Sequence, residues 1–159
     1  MSDTPEPETV QLIYEHIKDA PDKQFETVKS LDDKMVKVFT VAGVVIGLAG
    51  LSGKGLQGGT LTNTLLVGAL IAFIATAACA FYHLWPVNVW LSRHAGTLWN
   101  TSRHLTSDEV RQQLISSISK ANDHNVELLK KKSTVQTYAL VTTSLEVAMT
   151  GAAIIASRL

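Results

Sequence analysis

Between Lys54 and Arg93 the chain runs for 38 residues without an aspartate, glutamate, lysine or arginine. That gap limits the fold more than any other feature, because a water-facing helix needs charged or polar positions on its outer side. Charged residues make up 18% of the 159-residue chain, against about 25% in soluble domains. Inside the gap, Leu61 to Trp85 supplies 25 uncharged residues, about 37 Å of helix, more than the ~30 Å of a hydrocarbon core. A second run, Val38 to Gly53, lies between Lys37 and Lys54 and has 16 residues. Adding Met35 and Val36, with Lys37 snorkelling, makes it long enough to cross. The third, Ser133 to Ser157, is broken only by Glu146. A soluble bundle with buried helices is the competing reading. Two uncharged runs joined by the glycine-rich stretch Gly53 to Gly59 favour a membrane hairpin over it.

The predicted fold is all-α, a helical membrane protein with three transmembrane helices and cytoplasmic helical extensions. Residues 1–34 form cytoplasmic N-terminal helices, and 35–85 a transmembrane hairpin with spans at about 35–53 and 61–85. Residues 86–132 form a cytoplasmic interfacial segment and helix, and 133–159 the third span. The acidic start (Asp3, Glu6, Glu8) and the late onset of the first apolar run predict no signal peptide. Twelve of the 14 lysines and arginines fall before the first span or between the second and third. The positive-inside rule therefore puts the N-terminus in the cytoplasm and the C-terminus outside the inner membrane. Phe81, Tyr82, Trp85, Trp90 and Trp99 mark the inner interface.

Outside the spans, Val10, Ile13, Tyr14 and Ile17 recur at helical spacing after Pro5 and Pro7, which suit a helix start, and Pro21 is expected to end that helix. Phe25, Val28, Leu31 and Met35 share one face of a second helix that runs into the first span. Val87 to Trp99 reads as a short amphipathic piece in the interface. Thr106 with Glu109 is a capping box, and no proline or glycine follows until Gly151. Residues 107 to about 156 are thus one helix or two collinear ones, spanning about 75 Å. Its seam of Val110, Leu114, Ile118, Ala121, Asn125 and Leu128 fits a coiled coil whose register Asn125 fixes. It fits equally a face packed on the N-terminal helices of the same chain.

Chemistry is sparse. A net charge of zero argues against a general nucleic-acid binder, which would show a strong basic excess. One cysteine, Cys79, excludes an internal disulfide framework and a multi-cysteine zinc site. The five histidines have no metal-ligand spacing, and Gly53-Lys54-Gly55 fails as a phosphate loop because Leu48 replaces its first glycine and Gly55 its Ser or Thr. No catalytic, metal or cofactor constellation is present, so an enzyme is not expected. Glu146 is the residue whose cost demands a reason, since a carboxylate at mid-span costs a few kcal/mol. It either lines a pore, gates or handles protons, or it is a protonated glutamic acid hydrogen-bonded between helices, for example to Thr142, Thr143 or a neighbouring span. Gly43, Gly47 and Gly50 form a small stripe on the first span, and Ala72 and Cys79 lie on one on the second. Such stripes let helices approach closely within or between chains. Lys130, Lys131 and Lys132 anchor the third span against anionic lipid, or join Arg103 and Arg111 in a site for an anionic ligand.

Asp32-x-Lys34 stands just before a span containing Ala42-Gly43-Val44-Val45. Asn125 stands seven residues before Lys132, with Ala139-Leu140 seven further on. In these two patches the chain resembles the Pycsar transmembrane effector family, small membrane effectors of bacterial antiphage systems. The resemblance implies an inner-membrane effector that answers a cyclic nucleotide made during infection by oligomerising or opening, so that membrane integrity is lost. Its partners would be the lipid bilayer, further copies of the chain and the cyclic nucleotide. The cytoplasmic helices would sense the signal and the spans with Glu146 respond. The rival readings are a non-catalytic scaffold or accessory subunit of a larger membrane complex, and a holin-like pore former.

Overall fold

A computed structural model of the chain describes residues 7–52, 59–87, 89 and 105–158. Every regular element among them is an α-helix: α1 (Pro7–Ile17), α2 (Ala20–Ser52), α3 (Thr60–Leu84) and α4 (Ser107–Ala156). They divide into two compact units, Met1–Val28 with Val87–Lys130, and Lys29–Pro86 with Lys131–Leu159. Three of the helices, α2, α3 and α4, are long and apolar enough to cross a membrane. Trp90, Trp99, Arg103 and most of the interfacial piece expected over Val87 to Trp99 lie outside the described residues.

Two local expectations are corrected. Pro21 does not end the first helix. That helix closes at Ile17, and Pro21 sits in the first turn of α2, where a missing N–H breaks no helical bond. Phe25 does not share the inward face of α2. It is 52% exposed, while Val28 and Met35 are buried, because the inward face advances by seven residues from Pro21 and Phe25 falls off that row.

In the first unit, the amide of Gln24 on α2 links two residues of α4. Its Nε2 donates to Asn122 Oδ1, and Asn125 Nδ2 donates to its Oε1 at 2.9 Å. Asn125, fully buried, thus bonds to an N-terminal helix of its own chain. A cleft of about 360 Å³ opens in this unit, with Ile13, Ile115 and Ile118 as apolar walls and His16, Ser119 and Asn122 as polar ones.

The second unit packs α2 parallel to α4 and α3 antiparallel to it. Lys132 on α4 meets His83 on α3, Thr142 and Thr143 meet Thr76, and Met149 approaches Gly68. On the other side Lys132 meets Asp32, and Met35, Ala80 and Ala139 form one buried cluster. Buried residues recur every seven positions. They are Pro21, Val28, Met35, Ala42 and Ala49 on α2, Thr62, Ala69, Thr76 and His83 on α3, and Ile118, Asn125, Lys132, Ala139, Glu146 and Ala153 on α4. A strict seven-residue repeat is the pattern of left-handed coiled coils.

The residues in these rows are unusual for a core. Within the second unit they are mostly alanine and threonine, with one histidine, one lysine and one glutamate, whereas Val41, Val44, Leu48, Leu70, Ile71, Ile74, Val141, Leu145 and Ile155 face outward. Water would oppose that arrangement. Small residues inside and large apolar ones outside is the distribution of helices packed in lipid.

The start of α4 is a full capping box. Glu109 Oε2 accepts from Thr106 N at 2.8 Å and from Thr106 Oγ1 at 2.9 Å, and Glu109 N donates back to Thr106 Oγ1 at 3.4 Å. The Thr106 backbone N–H and then its hydroxyl, bonding the ionised form, hold the Glu109 carboxyl below the usual glutamate value. A lowered value in the folded state means stabilisation present well above the ordinary ~4.3 and lost as pH falls through the lowered one. The protection of first-turn amides of α4, measured relative to their intrinsic exchange rate at each pH, should fall on acidification through that window, and Glu109→Gln should abolish that fall. An unchanged acid response in that variant would remove the carboxylate from the account.

Candidate functional site

Near the start of the second unit's share of α2 and α4, each helix contributes one polar side chain to a single cluster: Asp32 (α2), His83 (α3) and Lys132 (α4). Lys132 is 5% exposed and His83 1%. The Lys132 ammonium donates to Asp32 Oδ1 at 2.6 Å and to the His83 carbonyl at 2.8 Å. In return His83 Nδ1 donates to the Lys132 carbonyl at 3.1 Å. The His83 carbonyl is in the last turn of α3, where helical carbonyls have no N–H donor in their own helix. A cation there satisfies it and matches the negative end of the helix dipole. Lys132 is therefore both the salt-bridge partner of Asp32 and a cap for α3 supplied by another helix.

The second ring nitrogen of His83 completes the cluster differently. Nε2 lies 3.2 Å from Asp32 Oδ1 but is not aligned for a hydrogen bond. With Nδ1–H committed to the Lys132 carbonyl, neutral His83 presents its Nε2 lone pair to the carboxylate, and only protonation would turn that contact attractive. The cluster as it stands is thus one anion, one cation and a neutral ring, balanced in charge.

A second polar level lies four turns along α4, about 21 Å from Lys132. Glu146 is fully buried, and neither of its carboxyl oxygens has a hydrogen-bond partner among the described residues. It does not reach Thr142 or Thr143. Thr142 Oγ1 is instead 2.7 Å from Thr76 Oγ1, and Thr143 Oγ1 is 3.3 Å from the same atom. Ala42 on α2 lies seven residues beyond Met35, as Glu146 lies seven beyond Ala139. The α3 contacts put Ala69 and Ala72 at the matching height.

The other residues singled out in the sequence divide clearly. Ala72 is buried and Cys79 packs beside the Met35, Ala80 and Ala139 cluster. Gly43, Gly47 and Gly50 do not contribute to that packing. A Cβ on any of them would meet nothing within 4 Å, because the inward row of α2 is Met35, Ala42 and Ala49. Lys132 does not stand with Lys130 and Lys131 as a surface anchor. Those two are exposed, whereas Lys132, in the seven-residue row, turns inward to a carboxylate of its own chain. Arg111 pairs with Asp108 at 3.5 Å, an exposed helical pair of small energetic weight. His83 was missed because it has no ligand spacing, yet its position seven beyond Thr76 signals its face. Among the described residues no three His, Cys, Asp or Glu side chains are placed to hold a metal ion.

Comparison with known family models, curated proteins and solved structures finds no match to this chain.

The cluster's energetics are asymmetric. Breaking a fully buried ion pair costs about 3–5 kcal/mol, mostly because the surviving charge is left unpaired. The Asp32 side chain is 36% exposed and that of Lys132 only 6%, so water can rescue Asp32 but not Lys132. Asp32→Ala should therefore destabilise the protein by about 2 kcal/mol, discounted for that exposure, and by more than Lys132→Met. The double variant should recover part of the loss. Thermal or denaturant unfolding in detergent measures all three, and strictly additive effects would show that the pair is not coupled.

Proposed function

We propose that the protein is an inner-membrane effector of an antiphage defence system that disrupts membrane integrity in response to a cyclic nucleotide signal. This is the activity that the resemblance to the Pycsar transmembrane effectors implies. The observation that carries the reading is the cluster in which half-buried Asp32 meets the buried His83 and Lys132. An ion pair inside a bundle of membrane-length helices is an expensive way to hold helices together. It makes sense as a contact that holds one state and can be given up for another. The outward apolar surface of α2, α3 and α4 supports a bilayer as the surroundings, and the lysine and arginine distribution supports an N-terminus in the cytoplasm.

In this reading the first unit receives the signal. Helices α2 and α4 run unbroken from residues of that unit into residues of the second, so a change in the helices is carried along continuous backbone. The Asp32 and Lys132 contact acts as the latch. Once it opens, the three spans separate or recruit further copies, the unfilled glycine face of α2 offering a surface for a second chain.

The test is dye leakage from cells expressing the full chain, with and without a co-expressed cyclic-nucleotide synthase. Leakage is expected only with the synthase, and Asp32→Asn, which weakens the latch, should leak without it. Leakage of the unsubstituted protein without synthase would replace this reading with a holin. Absence of leakage in every case would leave a scaffold.

A further inference from the structure

Two grooves flank α2 in the second unit, and they differ in charge. Between α2 and α3 a groove of about 670 Å³ is lined by Phe39, Phe81, Leu84 and Trp85, and otherwise by alanine and proline, with no charged side chain. Between α2 and α4 a groove of about 470 Å³ has the Lys37 side chain in its wall. Both volumes fall within the about 300–1,000 Å³ of ligand clefts.

Lys37 is the last charged residue of α2, and the helix is uncharged from there to its end. It is exposed, and so is Lys34, one turn earlier on the same face. Among the described residues neither lysine pairs with a carboxylate. Past Lys37 the walls are apolar. Val38 and Val41 come from α2, Leu140 and Val147 from α4, and the last three are each about half exposed. The two hydroxyls in the lining are already engaged. Ser144 Oγ donates to the Leu140 carbonyl at 2.9 Å, and Thr143 Oγ1 lies 3.3 Å from Thr76 Oγ1 on α3. The groove therefore offers a cationic end and a hydrocarbon wall that extends about 10 Å along α4.

That combination selects the occupant. A free anion would gain nothing from the valines, and a hydrocarbon chain alone would fit the uncharged groove beside α3 as well. An anionic phospholipid uses both parts. In the orientation proposed above, the lysine end lies in the cytoplasmic leaflet, where anionic lipids attract such side chains.

We propose that the groove between α2 and α4 binds one anionic phospholipid, its phosphate on Lys37 with Lys34 beside it, and one acyl chain against Val41 and Val147. The site rests on the bilayer part of the proposed function and needs neither the signal nor loss of membrane integrity.

Native mass spectrometry of the full chain in detergent tests it, by titration with phosphatidylglycerol or with phosphatidylcholine of the same acyl chains. One phosphatidylglycerol should be retained per chain in preference to phosphatidylcholine. Lys37→Gln should weaken that binding about fivefold, the share of one lysine at an anionic lipid surface, and Lys37→Arg should keep it. Lys120→Gln, which removes the same charge from the first unit, should change nothing. Val147→Trp, which fills the groove from a half-exposed position, should displace the lipid. Equal retention of the two lipids, equal losses in Lys37→Gln and Lys120→Gln, or undiminished binding in Val147→Trp would overturn the site. So would lipid-free dimers that Val147→Trp dissociates, since a second copy would then fill the groove. Flotation with phosphatidylcholine vesicles separates the two claims. A chain that does not float overturns the bilayer reading together with the site, and one that floats without preferring phosphatidylglycerol overturns the site alone.

Discussion

Close approach of three helix backbones over alanine and threonine is the constraint on which the rest of the membrane-length unit depends. Once the large apolar side chains point outward, burial of Leu, Val and Ile no longer drives the helices together. What remains is van der Waals contact between small faces and hydrogen bonds between polar ones. Met35, Ala80 and Ala139 supply the first kind of contact, and Thr76 with Thr142 and Thr143 the second. Lys132 is accommodated because its neighbours in the row are small and because Asp32 and the end of α3 both accept from it. The same smallness leaves Glu146 buried in a layer whose other helices contribute alanines, with no hydrogen-bond partner among the described residues.

The fold was largely legible in the sequence. Hydropathy located the three helices long and apolar enough to cross a membrane, since charge-free runs of this length have few alternatives. Thr106 and Glu109 located the start of α4, and the lack of a proline or glycine before Gly151 predicted its length. What failed was the inward face of α2. Reading periodicity assumes that apolar residues point inward, which led to Phe25 being placed on the buried face. In the second unit the inward rows are less apolar than the outward ones, so the assumption points the wrong way there. The seven-residue spacing survives that inversion, and it is visible in the sequence between Asn125, Lys132 and Ala139.

The polar cluster was less legible than the fold, for a specific reason. Asp32, His83 and Lys132 stand 51 and 49 residues apart along the chain, and nothing local marks them as neighbours. Lys132 is camouflaged by Lys130 and Lys131, which suggest a common solvent-facing role for all three. Glu146 could be flagged because its energetic cost is local, whereas the absence of a partner is a property of the packed layer.

The repetitiveness of the rows has a consequence for alignment of the helices. Sliding α4 by one heptad, about 10 Å, past α2 and α3 would replace Lys132 by Ala139, Glu146 by Ala153 and so on. An interface of alanines and threonines barely distinguishes such offsets, since small faces fit one another in many places. The charged layer distinguishes them most sharply, because a slipped α4 would carry the ammonium away from Asp32 and from the end of α3. Asp32, His83 and Lys132 thus act as an index mark on a ruler with evenly spaced graduations. They select one alignment among several that packing alone would leave nearly equal in energy.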